Sequence, residues 1–165
     1  MKKRIIPLMA ILMLVLAGCS SNDENTANEA HNGKTSQSEN RDIQEKTSGI
    51  NQLPAFLNDK PDQMKTIYSA SAKSAELLAS IPCYCGCGES AGHKSNLNCF
   101  VADTKKDGSI IWDDHGTKCK VCLDIAAESI VRYNKGNSPA EIRAYIDETY
   151  KEGYAKPTPT PMPHA

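Results

Sequence analysis

Four regimes of hydrophobic patterning follow one another along the chain. Residues Ile5 to Ala17 form an apolar run broken only by Pro7. From Ser20 to about Gln52 the chain is polar, and Ile43 and Ile50 stand isolated without a period. Between Leu53 and about Tyr154 apolar residues recur at regular spacing. Beyond that, Pro157, Pro159, Pro161 and Pro163 alternate with other residues in an extended, polyproline-like tail. Folded structure is therefore expected within 53–154, with 155–165 as a Pro-rich tail outside it.

Inside the patterned region the periods predict three helices and a hairpin. Pro61-Asp62 opens the first helix with Asp62 as N-cap, and Met64, Ile67, Tyr68, Ser71, Ala75 and Leu78 recur at three- and four-residue spacing. Pro82 stops it, because the residue before a proline avoids helical geometry. Gly88 to Asn98 is rich in Gly, Ser and Asn and reads as loop. Cys99-Phe100-Val101 and Ile110-Ile111-Trp112 read as two strands joined by a turn near Asp107-Gly108. The second helix is expected from roughly Thr117 to Lys135, with Cys122, Ile125, Ala126, Ser129 and Tyr133 on one face and Gly136 as its stop. The third starts at Ser138-Pro139-Ala140-Glu141, a capping box with proline at the first helical position. Ile142, Tyr145, Ile146 and Tyr150 form its buried stripe, Gly153 ends it, and it should pack antiparallel to the second helix. The expected fold class is mainly α: a small Cys/His-rich domain of about three helices with a short β-hairpin or irregular Cys-rich loops.

The flanks carry their own signals. Lys2-Lys3-Arg4 precedes an apolar run too short to span a bilayer, the arrangement of a signal peptide. Leu16-Ala17-Gly18-Cys19 follows and resembles the lipobox of bacterial lipoproteins. That resemblance implies cleavage after residue 18, a diacylglyceryl group (and palmitate) on Cys19, and anchoring to the outer face of the cell membrane, with the lipid bilayer as a partner. Residues 20–52 cannot bury enough apolar surface to fold and are expected to be a disordered tether holding the domain off the membrane. His31 in the tether and His164 in the tail read as solvated residues.

Composition sharpens this picture at two points. Aromatic residues make up only 5% of the 165 positions, so the core is small and calls for a metal or disulfides. The first four residues hold three of the 19 cations, leaving 16 against 20 anions elsewhere, which argues against nucleic acid as a partner.

The chemistry is concentrated in sulfur. Besides Cys19, the chain has Cys83, Cys85, Cys87, Cys99, Cys119 and Cys122, with His93 six residues before Cys99 and His115 four before Cys119. Alternating thiols on a Gly-bent loop can converge on one ion, and Cys119-Lys120-Val121-Cys122 adds a pair at the head of a helix, where thiolate is favoured. Such donors suit zinc or copper(I). Structural disulfides compete with this reading, since an outward-facing protein meets an oxidising environment. Neighbours two apart would close a strained ring, however, and the cysteine fraction is below that of disulfide scaffolds. A thiol–disulfide oxidoreductase using Cys119 and Cys122 would want a βαβ setting, which the pattern lacks. Leu123 follows Cys122, so the CxxCH haem motif is absent, as are common ferredoxin spacings. The frame from Asp103 to Asp114 resembles a calcium loop but puts Lys105 where a ligand oxygen is needed and lacks the final Glu, so calcium is not expected. Asp113 and Asp114 read as helix caps or as groups orienting His115. Nothing marks the chain as an enzyme.

From Ile81 to Tyr150 the chain resembles the PCYCGC-motif lipoproteins of Gram-positive bacteria. The resemblance rests on Pro82-Cys83-Tyr84-Cys85-Gly86-Cys87, on Gly92-His93 followed by Cys99-Phe100-Val101, and on His115 with Cys119-Lys120-Val121-Cys122. It implies a location and a set of key residues, not a reaction or an identified protein partner. The sequence reading is a lipid-anchored protein whose Cys/His cluster binds a soft metal for storage, delivery or sensing. A disulfide-stabilised interaction domain and a thiol oxidoreductase remain the alternatives. The reading makes a spatial demand: six sulfurs from three separate segments must meet, with His93 and His115 beside them.

Overall fold

The computed structural model describes residues 42–163. The signal segment, Cys19, His31 and His164 lie outside the described residues. The chain enters on a short strand, β1 (Gln44–Thr47), and passes a single turn at Ala55–Leu57 into α1 (Asp62–Lys73) and α2 (Ala75–Ala79). A one-turn helix, α3 (Cys87–Ser90), and a 3-10 turn at Asn96–Cys99 lead to the hairpin β2 (Val101–Thr104) and β3 (Ile110–Asp113). A second 3-10 turn, Asp114–Thr117, delivers the chain into α4 (Lys120–Asn134), and α5 (Pro139–Thr149) follows. The mainly helical class and the hairpin agree with the sequence reading. The calcium-like frame is strand, turn and strand, with Gly108 at φ +83° making the turn.

The sheet has three antiparallel strands in the order β1-β3-β2, so the hairpin's second strand is central. Gln44 pairs with Asp113 and Thr47 with Ile110 on one side, and Val101 with Trp112 on the other. This corrects the expectation of a disordered tether as far as residue 52, because Gln44–Thr47 already form a strand of the sheet. β1 is polar and buries only Thr47, so hydrophobic patterning cannot reveal it. Backbone pairing to β3 holds it, together with one buried bond: the Trp112 indole N–H donates to Thr47 Oγ1 at 2.8 Å. A buried indole N–H without a partner would be costly.

The tail is a second correction. Its prolines keep it extended, but the residues between them retain free N–H groups. Thr158 N–H donates to the Cys83 carbonyl (3.0 Å), and Cys83 N–H donates to Thr158 Oγ1 (2.9 Å). Ala155 N–H donates to the Tyr84 carbonyl, and Arg143 from α5 donates to Thr160 Oγ1 and to the Pro161 carbonyl. The tail is thus a strap laid along the first cysteine loop.

Three smaller differences have local causes. Asp62 is the first helical residue of α1, whose N-cap is Pro61. The first helix breaks at Ser74, where φ −108° and ψ 30° leave the helical region. The break rephases the buried face, from Tyr68, Ser71 and Ala72 on α1 to Leu77 and Leu78 on α2. Tyr133 is 50% exposed and not buried as expected, because the inward stripe of α4 ends at Ser129 and Ile130 and its last turn outruns the core. The third helix is as read: Ser138 and Glu141 form the capping box, and Ile142 and Ile146 are fully buried.

The core is an aromatic knot under the sheet. Tyr68 meets Phe100 edge-on at 5.1 Å between ring centroids and Phe56 at 5.9 Å, and its hydroxyl donates to the Asp113 carbonyl at 2.9 Å. Gly116 abuts this knot. A methyl group there would lie 2.6 Å from the Phe100 ring and 2.9 Å from the Tyr68 oxygen. Neither ring can move without repacking, so Gly116→Ala is expected to cost about 1–3 kcal/mol, the usual penalty of overpacking. Denaturant unfolding of the reduced protein checks this through a lower midpoint.

Candidate metal centre

Four segments bring their donors to one place. Pro82 ends the approach from α2, and the chain then runs extended through Cys83, Tyr84 and Cys85. Alternation sends the two sulfurs one way and Tyr84 the other, where its hydroxyl donates to Asp147 of α5 at 2.7 Å. Gly86, at φ +87°, turns the chain in the left-handed region so that Cys87 re-enters as the first residue of α3. Cys99 closes the 3-10 turn that Ser95 and Asn98 cap reciprocally. Asn96 in that turn donates from Nδ2 to the Cys122 carbonyl (3.2 Å) and from its backbone to the Ile81 carbonyl (2.8 Å), tying the cysteine-bearing segments together. Cys119 is the N-cap residue of α4, and Cys122 lies in its first turn.

The sulfurs meet. Cys83 and Cys85 stand 3.2 Å apart, and each is 3.4 Å from Cys122. Cys99 is 3.2 Å from Cys122, 3.8 Å from Cys87 and 3.9 Å from Cys83. All six described cysteines are free thiols. These separations far exceed the roughly 2.05 Å of a disulfide. They lie near the edge, about 3.8 Å, of a tetrahedron built on metal–sulfur bonds of about 2.3 Å. The imidazoles complete the cluster: Cys99 Sγ is 3.5 Å from His93 Nδ1, Cys85 Sγ is 3.7 Å from His115 Nε2, and the two rings meet edge-on at 4.8 Å. Every residue singled out in the sequence as a candidate ligand is therefore here. The eight fall into overlapping sets of four: Cys83, Cys85, Cys87 and Cys122; Cys85, His115, Cys119 and Cys122; and Cys87, His93, Cys99 and His115. Within each set all donor atoms lie within 4.8 Å of one another. The cluster can hold a metal ion.

Carboxylates stand behind the imidazoles. Asp42 Oδ2 is 2.9 Å from His115 Nδ1 and 3.7 Å from His93 Nε2, and Asp113 Oδ2 is 4.0 Å from His93 Nε2. With Nδ1 bonded to Asp42, His115 presents Nε2 to the sulfurs, the orientation a metal-bound histidine usually owes to a carboxylate. Sequence reading placed Asp42 in the tether and missed it. Asp113 caps the 3-10 turn by accepting from His115 N–H (2.9 Å), so it does orient His115, although the element it caps is not the second helix. Asp114 accepts from Lys118 Nζ (2.8 Å) and from Ile43 N–H (2.8 Å), locking the chain entry against the site.

Crowding sorts the thiols into acids and bases. Hydrogen bonds from Cys122 and Cys85 bring Cys83 down to about 5. Cys85 and Cys99 are also lowered, through hydrogen bonds from Cys119 and Cys122 for the first and from Cys122 and Cys83 for the second. Cys122 and Cys87 are raised. Cys122 donates to Cys119 and Cys83, while on Cys87 the thiolates of Cys83 and Cys85 outweigh an opposing bond from Cys122. His115 is pushed up to about 11 by its hydrogen bonds to Cys119 and Cys85. Burial opposes protonation of His93, but the hydrogen bond and charge of Cys99 outweigh it. Without metal, the cluster is a mixed set of thiolates, thiols and imidazolium.

The fold and site define a small, mainly helical domain with a three-stranded sheet, organised around a Cys/His cluster that could hold a metal ion. The chain belongs to the family described as proteins of unknown function with a PCYCGC motif, whose family model matches residues 8–163. The match extends beyond the stretch that carried the sequence resemblance and takes in both β1 and the tail strap. No curated protein and no solved structure matches the chain.

Proposed function

We propose that this protein is a lipid-anchored lipoprotein on the outer face of the cell membrane whose cysteine–histidine cluster binds copper or zinc for storage, delivery or sensing. The observation that carries the reading is the convergence of six free thiols and two imidazoles on one buried point. Left empty, a set of thiolates and imidazolium is expensive to bury. A metal ion turns that cost into folding free energy. The surroundings of Cys122 favour binding over thiol–disulfide exchange, because it is fully buried with three sulfurs besides its CxxC partner within 3.4 Å. An attacking thiol needs access and thiolate character. The anchor is read from Leu16-Ala17-Gly18-Cys19.

One preparation tests both halves. The full chain is expressed in its processed form and purified anaerobically without chelator, and metal and free thiols are counted. The expected result is copper or zinc at one equivalent or more, with thiols unreactive until a chelator is added. The protein should sit in the membrane fraction, with a diacylglyceryl group on Cys19 by mass spectrometry. Metal-free protein with six cysteines that stay reactive in the presence of added copper(I) or zinc sinks the metal reading. A processed chain whose Cys19 carries no lipid sinks the anchor.

A further inference from the structure

The eight donors are too many for one ion. A tetrahedral soft-metal site takes four. The three sets of four together use all eight candidate ligands, and their overlaps are specific. The first set (Cys83, Cys85, Cys87, Cys122) and the second (Cys85, His115, Cys119, Cys122) share the edge between Cys85 and Cys122, whose sulfurs are 3.4 Å apart. A thiolate has several lone pairs and can bridge two ions. An imidazole nitrogen has one and cannot. The shared members of these two sets are both thiolates, so both sets can be filled together. His115 occurs in the second and third sets and must serve one. Its Nε2 lies 3.7 Å from Cys85, with Asp42 on the opposite nitrogen. That places it in the second set.

We infer that the centre is polynuclear, with two soft metal ions sharing the Cys85 and Cys122 sulfurs as bridges. Cys83 and Cys87 complete one ion, and His115 and Cys119 complete the other. Cys99 and His93, 3.5 Å apart, stand beside Cys87 and offer a third, lower-coordinate position of the kind copper(I) accepts. The inference rests on the soft-metal reading above and specifies its stoichiometry and topology.

Cadmium-113 is a suitable probe, since it takes sulfur and nitrogen donors and is visible by NMR. The reduced, metal-free full chain is titrated with the ion and followed by native mass spectrometry and cadmium NMR. The expected result is saturation at two or more ions per chain, with two sulfur-bound resonances split by coupling to each other through the shared thiolates. Cys119→Ser, which touches only the second set, should lose one ion and the splitting while keeping the first-set resonance. Saturation of the unmodified chain at one ion, or two resonances without mutual coupling, would overturn the bridged cluster and leave the soft-metal reading standing. No cadmium bound, with six thiols still reactive, would overturn both. The unmodified chain decides the question even if the variant misfolds.

Discussion

Replacing Cys122 by Ser is expected to abolish stable metal retention. Its sulfur lies within 3.4 Å of three others, Cys83, Cys85 and Cys99, and belongs to two of the three four-donor sets. A hydroxyl in its place keeps the volume but is a poor donor to a soft ion. Losing only a supporting partner of a ligand costs about 10–100-fold in metal affinity, so losing a shared ligand should cost more than about 100-fold. A competition titration against a chromophoric chelator reads this directly. The same titration has a pH signature. Cys83, near 5, is already thiolate at neutral pH, whereas His115, near 11, and the raised thiols of Cys87 and Cys122 hold protons that ligation must expel. Affinity should therefore fall as pH falls, with protons released as the cluster fills near pH 7. Cys122→Ser removes one of these protons along with the affinity. If the variant holds metal as tightly as the parent chain, Cys122 is not a ligand.

The cluster was legible in the sequence because its members are chemically rare. Three alternating cysteines, a CxxC and two nearby histidines name themselves, and Gly86 announces the turn that closes the loop. The helices were legible where period and caps agree, most clearly at Ser138–Glu141. What escaped was held by the backbone. The strand Gln44-Glu45-Lys46-Thr47 has no apolar alternation, because only Thr47 faces the interior and because backbone pairing to β3 needs no hydrophobic side chain. Asp42 was hidden for the same reason: a single carboxylate at the end of a polar stretch has no local signature, and its role exists only once β1 has brought it to His115. The tail escaped because alternating proline signals extension but not what the extended chain lies against. Thr158 and Thr160 make the contacts, to Cys83 and to Arg143. Arg143 itself, buried on α5 and bonded to the half-exposed Asp147, could be read in sequence only as a surface charge.

A chain begun at Leu53, the boundary that hydrophobic patterning suggests, is expected to fold poorly, whereas one begun at Asp42, ahead of β1, should keep the fold. The difference is a strand of four residues and one carboxylate. Removing β1 strips the edge of β3 and uncovers Trp112, whose indole is fully buried and donates to Thr47. Exposing a large apolar side chain costs about 1.5–3 kcal/mol, and the lost indole bond adds about 0.5–1.5 kcal/mol. The Ile43 N–H that satisfies the buried carboxylate of Asp114 goes as well. Together these losses are a large fraction of the roughly 5–15 kcal/mol that holds a domain. Trp112 is the single tryptophan of the chain, so its fluorescence reports the event without ambiguity. The shorter chain should emit like a solvated indole and unfold at a lower temperature than the chain begun at Asp42. Asp42→Asn in the full chain separates the two roles of this segment. It leaves β1 and the Trp112 emission intact, while the amide can no longer hold a charged partner for His115. It should therefore weaken metal binding by about 10–100-fold, as for a lost carboxylate behind a metal-bound histidine. Equal melting of the two truncated chains would mean that β1 contributes nothing to stability. Unchanged metal affinity in Asp42→Asn would mean that His115 needs no carboxylate behind it.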